Sequence, residues 1–225
     1  LVEPTKILRK VEGGKWIQKA DYINSSISSS GEVIYETLAN GGIGLNYSFT
    51  PHTKGKMLLE SGSAFLLNSD YKHIQWLGFG PYASYPGKQS ANGYGLHSVS
   101  VDNLYFEGNR MGIDALVCTD DAGNGFLVIA PHSNINFEQT DKGIVLSFNA
   151  VVSGLCGKLR ETAYPVYTDD VEQISGNILL YPLSEGKWPE AVTTLFEQPK
   201  DMEPSENPFL SEYDTYLMKY LDIVD

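Results

Sequence analysis

The chain has 225 residues and a formal net charge of -12, with 42% hydrophobic and 12% aromatic residues. That is the composition of a folded chain, long enough to bury a substantial core as one large all-β domain or two small ones. The acidic balance, with no basic cluster, argues against nucleic acid and against anionic membrane surfaces as partners, and no apolar run is long enough to span a bilayer as a helix.

The N-terminal "LVEPTKILRK" lacks the basic, apolar, small order of a signal peptide and carries no initiator Met. The chain is therefore expected to have been cut from a longer one. The serine-rich "INSSISSSGE" reads as a loop or a strand connection. From there the dominant period is two. Val33, Tyr35 and Thr37 share one face of "GEVIYETL", and Leu45, Tyr47 and Phe49 share one face of "GIGLNYSFTP", which Pro51 ends. "WLGFGPYASYPG", residues 76–87, sets Trp76, Phe79, Tyr82 and Tyr85 three apart, but its glycines and prolines forbid a helix. Trp76 closes an alternating run before Gly78 and is expected to be structural, a large buried ring that plugs the sandwich edge.

In "MGIDALVCTDDAGNGFLVIAP" the residues Ile113, Ala115 and Val117 alternate, Asp120–Gly125 turn, and Phe126–Ala130 return, with Asn124-Gly125 as the turn pair of a hairpin. "GIVLSFNAVV" and "GNILLYPL" add two strands. Short strands joined by Gly- and Pro-rich turns predict an antiparallel sandwich or barrel. The end changes character. "EQPKDMEPSENP" is an acidic, Pro-rich strap, and residues 208–224 place Leu210, Tyr213, Leu217, Tyr220, Leu221 and Val224 on one helical stripe. The expected division is a β-sandwich over residues 1–188 and a strap with a short C-terminal helix over 189–225. Cys118 and Cys156 are expected as reduced, buried thiols, one bridge being the alternative in an exported protein. The compartment is not fixed by two cysteines; a periplasmic or extracellular one stands ahead of the cytoplasm.

Standard catalytic signatures are missing: no GxSxG, HExxH, CxxC or P-loop. His52, His73, His97 and His132 are scattered singly, so neither a metal nor a cofactor is expected. Asp120 and Asp121, and Asp169, Asp170 and Glu172, fall at turn signals, where carboxylates bond their own backbone. Aromatics mixed with amides remain. A sugar lays its C–H face on a ring while amides and charges take its hydroxyls. The stretch "GPYASYPGKQSANGYGLHS" carries that mixture, with Tyr82, Tyr85, Asn92 and His97 as candidate carbohydrate contacts beside Lys88, Gln89 and Tyr94. The competing reading is that these tyrosines pack a long loop onto the sandwich.

In order along the chain, "IQWLGFGPYASYPGKQSA", "VSVDNLY", "DALVCTDDAGNGFLVIA" and "AVVSGLCG" resemble four blocks of the C-terminal domain of family 2 β-galactosidases, over roughly residues 31–183. The resemblance implies an antiparallel supersandwich like that of galactose mutarotase, in which the Trp-Leu-Gly-x-Gly-Pro block belongs to the framework. It further implies that a TIM barrel outside this chain carries the acid/base and nucleophile glutamates, so that this chain supports a saccharide site without cleaving the bond. The expected partners are a saccharide and the other domains of the parent glycosidase, with a homo-oligomer left open. The parent reaction would be β-glycoside hydrolysis with retention. Members of the family can offer an indole to the sugar just before the last block; near that position this chain has Val145. Two rivals remain. One is an aldose-1-epimerase-like enzyme with His97 or His132 as acid and Glu138 as base. The other is a carbohydrate-binding module, which would expose the rings of Tyr82, Tyr85 or Trp188.

Overall fold

The computed structural model describes residues 4–24, 27–39, 41–100, 108–154 and 164–184. All of them lie in the first of two compact units, Leu1–Pro189; the second is Glu190–Asp225. The expected C-terminal helix, together with Cys156 and Trp188, falls outside the described residues.

Among the described residues there are thirteen strands and no helix. β1 (Pro4–Glu12), β2 (Lys15–Asn24), β3 (Ile27–Thr37) and β4 (Ile43–Pro51) form an antiparallel meander. β13 (Ile174–Leu183) pairs with β4 on one side and with β10 (Gly125–Thr140) on the other. The sheet continues through β9 (Arg110–Thr119) and β7 (His73–Gly80) to β8 (Gly93–Ser100). From β10 a branch leads through β11 (Gly143–Val152) to β6 (Glu60–Leu67), and β5 (Met57–Leu58) and β12 (Val166–Tyr167) make a separate small pair. Every strand pairing among the described residues is antiparallel.

The branch at β10 comes from one interruption. Gly125–Ile129 pair with β13, while Asn134–Thr140 pair with β11. Between the two halves lie Pro131, which has no N–H to give a ladder, and His132, held at φ 58°. The register with β9 shifts there, between Ile129 and Ser133. A bulge of this kind bends a strand and raises its twist, so a single strand serves two sets of partners. The sequence reading ends this strand at Ala130, whereas β10 continues through Pro131 and the bulge to Thr140.

The sheet folds over on itself. Tyr47 of β4 donates its hydroxyl to the carbonyl of Phe148 on β11 at 3.1 Å, although β13 and β10 intervene in the sheet. Burial pushes the Tyr47 phenol up to about 12. Leu45, Ile178, Val128, Leu116, Ile74 and Trp76 join Ile135, Phe137, Leu146 and Phe148 in one continuous core. β7 alternates cleanly, with Ile74 and Trp76 buried and His73 and Gln75 exposed. Cys118 is a free, buried thiol whose pKa burial raises, as expected for this one of the two cysteines.

Two segments differ from the sequence reading. β1 shows no period-two burial, since Ile7, Leu8 and Val11 all stay exposed, whereas β2 turns only the small Ala20 fully inward, between the exposed Lys19 and Asp21. β1 rests on ladder pairing rather than on a buried face. The serine run is also strand rather than loop, since Ser28–Ser30 pair with β2 and with β4. Its hydroxyls are used: Ser28 Oγ bonds Thr53 Oγ1 at 3.1 Å, and Ser30 Oγ bonds His52 Nε2 at 2.7 Å.

Candidate functional site

The Trp-Leu-Gly-Phe-Gly segment is β7, and the aromatic loop hangs from its end after a cis Gly80–Pro81 peptide. Gly78 has φ 153°, and a Cβ there would come within 2.7 Å of the Ile113 Cα. Only glycine lets β7 close on β9 at this point. The register with β9 shifts between Leu77 and Gly78, which turns the strand end toward the loop.

A second segment latches that loop. Asn109 is fully buried, and its Nδ2 donates to the Ser84 carbonyl at 2.9 Å. Ser84 N–H donates to the Asn109 carbonyl at 2.8 Å, and Met111 N–H donates to Ser84 Oγ at 2.9 Å. Tyr85 sits under this latch, 4% exposed, and its ring is part of the packing. Tyr82 is 63% exposed, and its backbone N–H is held by Asn92 Oδ1 at 2.9 Å. His97 lies on β8 with its ring 5.5 Å from Trp76, and its Nε2 bonds the Gly93 carbonyl at 3.1 Å.

The four candidate residues thus divide. Tyr82 and Asn92 line a pocket of about 650 Å³, together with Lys88, Gln89 and Arg110. Tyr85 and His97 lie in the packing behind it. Sequence alone could not separate two tyrosines three apart; the latch from Asn109 does.

Sequence reading passed over Arg110. It is 8% exposed, and its guanidinium carbon stands 4.7 Å from the Trp76 ring centroid and 5.6 Å from that of Phe137. Its Nη1 donates to the Gly108 carbonyl at 2.6 Å. Among the described residues, the buried side-chain polar atoms without a partner are Arg110 Nε and the neighbouring Asn109 Oδ1. Burial lowers the Arg110 pKa below its ordinary value. The sequence offers only that "GNRMGIDAL" opens an apolar run on a charged residue; which way that side chain faces is set by Trp76 and Phe137 from other strands.

A second hollow, of about 520 Å³, is bordered by Tyr22, Tyr35 and Phe49 on one side and by Glu60, Glu138 and Asn149 on the other. Val145, which stands where the resembling family would carry an indole, belongs to its wall. Glu60 Oε2 accepts from Asn136 Nδ2 at 2.8 Å and from Asn149 Nδ2 at 3.0 Å. The two histidines considered with Glu138 lie elsewhere. His97 is on Trp76, and the His132 ring is 3.5 Å from Asp114. Asp120 accepts from Ala122 and Asn124 N–H groups, and Asp170 from Tyr167 N–H, as turn carboxylates do. No group of His, Cys, Asp and Glu suited to a metal ion occurs among the described residues.

A family model described as beta galactosidase small chain matches residues 7–164. No curated protein matches the chain. Among solved structures, a galactose mutarotase related enzyme from Lactobacillus acidophilus is similar, with TM-score 0.43 and 10% identity, covering 80% of this chain and 72% of that one.

Proposed function

Because the chain belongs to the β-galactosidase small-chain family, we propose that it is a non-catalytic β-sandwich of a family 2 glycoside hydrolase. It supports a saccharide beside an active site that other domains of the parent enzyme carry. The observation behind this reading is the pocket of about 650 Å³ that sets the exposed Tyr82 ring beside Asn92, Gln89 and Lys88. A ring with amides and a cation around it suits a sugar's apolar face and its hydroxyls. Tyr82 and Asn92 are the proposed contacts. Tyr85 and His97 hold the loop and β8 behind them.

Half a site binds weakly, because much of the ligand stays in water. The purified chain is therefore expected to leave nitrophenyl β-galactoside, glucoside and glucuronide uncleaved, and to bind saccharides only weakly, with NMR shifts centred on Tyr82 and Asn92. Turnover that survives repurification and disappears on replacing one acid would overturn the non-catalytic reading. Shifts confined to the opposite end of the sandwich would overturn the assignment of the loop. The epimerase reading asks for a His acid facing a carboxylate base across one sugar. Glu138 borders the second hollow, where the described lining residues include no histidine, so this reading stands behind the first.

A further inference from the structure

The second hollow, of about 520 Å³, holds a charge that the fold does not answer. Its floor comes from β6, β10 and β11, where Gly62 pairs with Asn149 and Ala64 with Ser147. Gly62 and Ala64 are small, and they leave room between this sheet face and the rings of Tyr22, Tyr35 and Phe49 on β2–β4. Glu60 borders that room. Asn136 and Asn149 both donate to its Oε2, at 2.8 and 3.0 Å. Its Oε1 has no partner among the described residues, and it is not one of their buried unpartnered atoms, so it stays open to solvent. The two amides therefore fix the carboxylate and leave one of its oxygens for a donor from outside.

The rest of the lining says what kind of donor fits. Glu138 adds a second carboxylate at the exposed rim, and the described lining contains no Lys, Arg or His to balance either. Neither carboxylate forms an ion pair among the described residues. The partly buried Glu60 is screened less than a surface acid, so a positive charge beside it gains more. The other side of the hollow is aromatic. Tyr22 and Phe49 meet at 5.3 Å with their planes at 87°, and burial raises the pKa of the Tyr22 and Tyr35 phenols. Rings of this kind favour a nearby cation through their electron-rich faces. A metal ion fits less well, because no group of His, Cys, Asp and Glu suited to one occurs among the described residues. A neutral hydroxyl also satisfies Oε1 but leaves both charges unbalanced.

We propose that this hollow takes the primary ammonium group of a small organic ligand, with Glu60 Oε1 as its acceptor, Glu138 as a second counter-charge at the rim and the rings of Tyr22, Tyr35 and Phe49 along the other side. The hollow shares no described lining residue with the pocket of Tyr82 and Asn92, so the inference stands apart from the saccharide reading. An amino sugar and an alkylammonium ion carry the same chemistry, and the test uses both.

The test is a titration of the whole chain with D-galactosamine, N-acetyl-D-galactosamine and n-butylamine, at a pH where both free amines are protonated. Calorimetry gives the affinities, and NMR of the Asn136 and Asn149 side-chain amides gives the place. The N-acetyl sugar keeps the frame and removes the charge, so it needs no variant. Galactosamine is expected to bind about tenfold or more tightly than the N-acetyl sugar, as a charge-assisted contact would give, to shift both amides, and to lose part of its advantage as salt is added. Butylamine binding more weakly than galactosamine assigns the ammonium to a sugar frame, and equal binding assigns it to alkylammonium ions in general. Glu60→Gln, which keeps an acceptor for the two amides, is expected to bring galactosamine down to the N-acetyl sugar, and Glu138→Gln to remove only part of the difference. Equal binding of the two sugars by the wild-type chain, a preference that survives in Glu60→Gln, or shifts confined to Tyr82 and Asn92 would overturn the inference. Binding of neither amine would overturn it as well, and the pocket of Tyr82 and Asn92 would keep its own test.

Discussion

Trp76 and Tyr85 belong to one three-residue rhythm and are both buried, while Phe79 and Tyr82, between them in sequence, are exposed. The rhythm has no helical meaning. Trp76 and Phe79 lie on opposite faces of β7, and Tyr82 and Tyr85 take their places from the loop latch. Trp76 is 1% exposed, donates its indole N–H to the Phe79 carbonyl at 3.0 Å and contacts Arg110, His97 and Phe137. Trp76→Ala should therefore cost about 3–5 kcal/mol, the range for truncating a large buried aromatic. Denaturant melts would show this as a lower midpoint, and an unchanged midpoint would mean that the ring does not support the core. The sequence carried this much of the residue scale, since a large ring at the end of an alternating run has few other places to go. It did not carry Arg110, whose surroundings come from strands far apart in the chain.

The β9–β10 hairpin follows its sequence in outline and departs from it in detail. Thr119 pairs with Gly125, so the loop is Asp120–Asn124 and Gly125 is already in the strand. The positive φ falls on Gly123, at 80°, rather than on the Asn124-Gly125 pair. Asp120 explains the shift: its Oδ1 gathers the N–H groups of Ala122 and Asn124 at 2.9 and 2.8 Å, and a five-residue loop wraps around that carboxylate. Asp120→Ala should cost about 1–2 kcal/mol, the worth of hydrogen bonds from backbone N–H groups to a charged acceptor, whereas Asp120→Asn should keep most of it. Thermal melts of the two variants would separate them, and equal loss in both would refute the role of the acceptor oxygen.

A second element-scale contact links β8 to β9 across β7. Tyr94 donates to Asp114 Oδ2 at 2.6 Å, and chiefly through that bond its phenol rises from 10.0 to about 12. A group whose folded pKa is raised stabilises fully below its unfolded pKa, and that stabilisation is lost as pH rises through the folded value. The window is therefore from about 10 to about 12. Melting temperatures of wild type and Tyr94→Phe should converge as pH climbs through it, while other tyrosines such as Tyr47 titrate in both proteins alike. Parallel curves across the window would remove the linkage.

At the scale of the whole chain, the strap and tail remain a sequence-based proposal. A lone helix over residues 208–224 is marginal in water, and six large apolar residues on one stripe favour docking over a free acidic tail. Deleting residues 199–225 should lower the melting temperature or change the oligomeric state by light scattering. A truncated chain that matches wild type in both, with tail amides exchanging at unfolded rates, would sink the docked helix. By itself the sequence determined the all-β, antiparallel class, the positions of most inner strands, the β9–β10 hairpin and the burial of Trp76 and Cys118. Period-two burial and turn chemistry act over a few residues, so they are written where they operate. β1 escaped because a strand held by its ladder, with Leu8 and Val11 facing solvent, leaves no periodic trace, and β2 escaped because its fully buried position is the small Ala20. Only the tertiary structure decided that β10 serves two sets of partners, that Tyr85 is packing while Tyr82 faces the pocket, and that Arg110 stands beside Trp76. Each depends on contacts between distant segments, such as Asn109 on Ser84 across 25 residues, and pairing over that distance is set by the closing of the whole sheet.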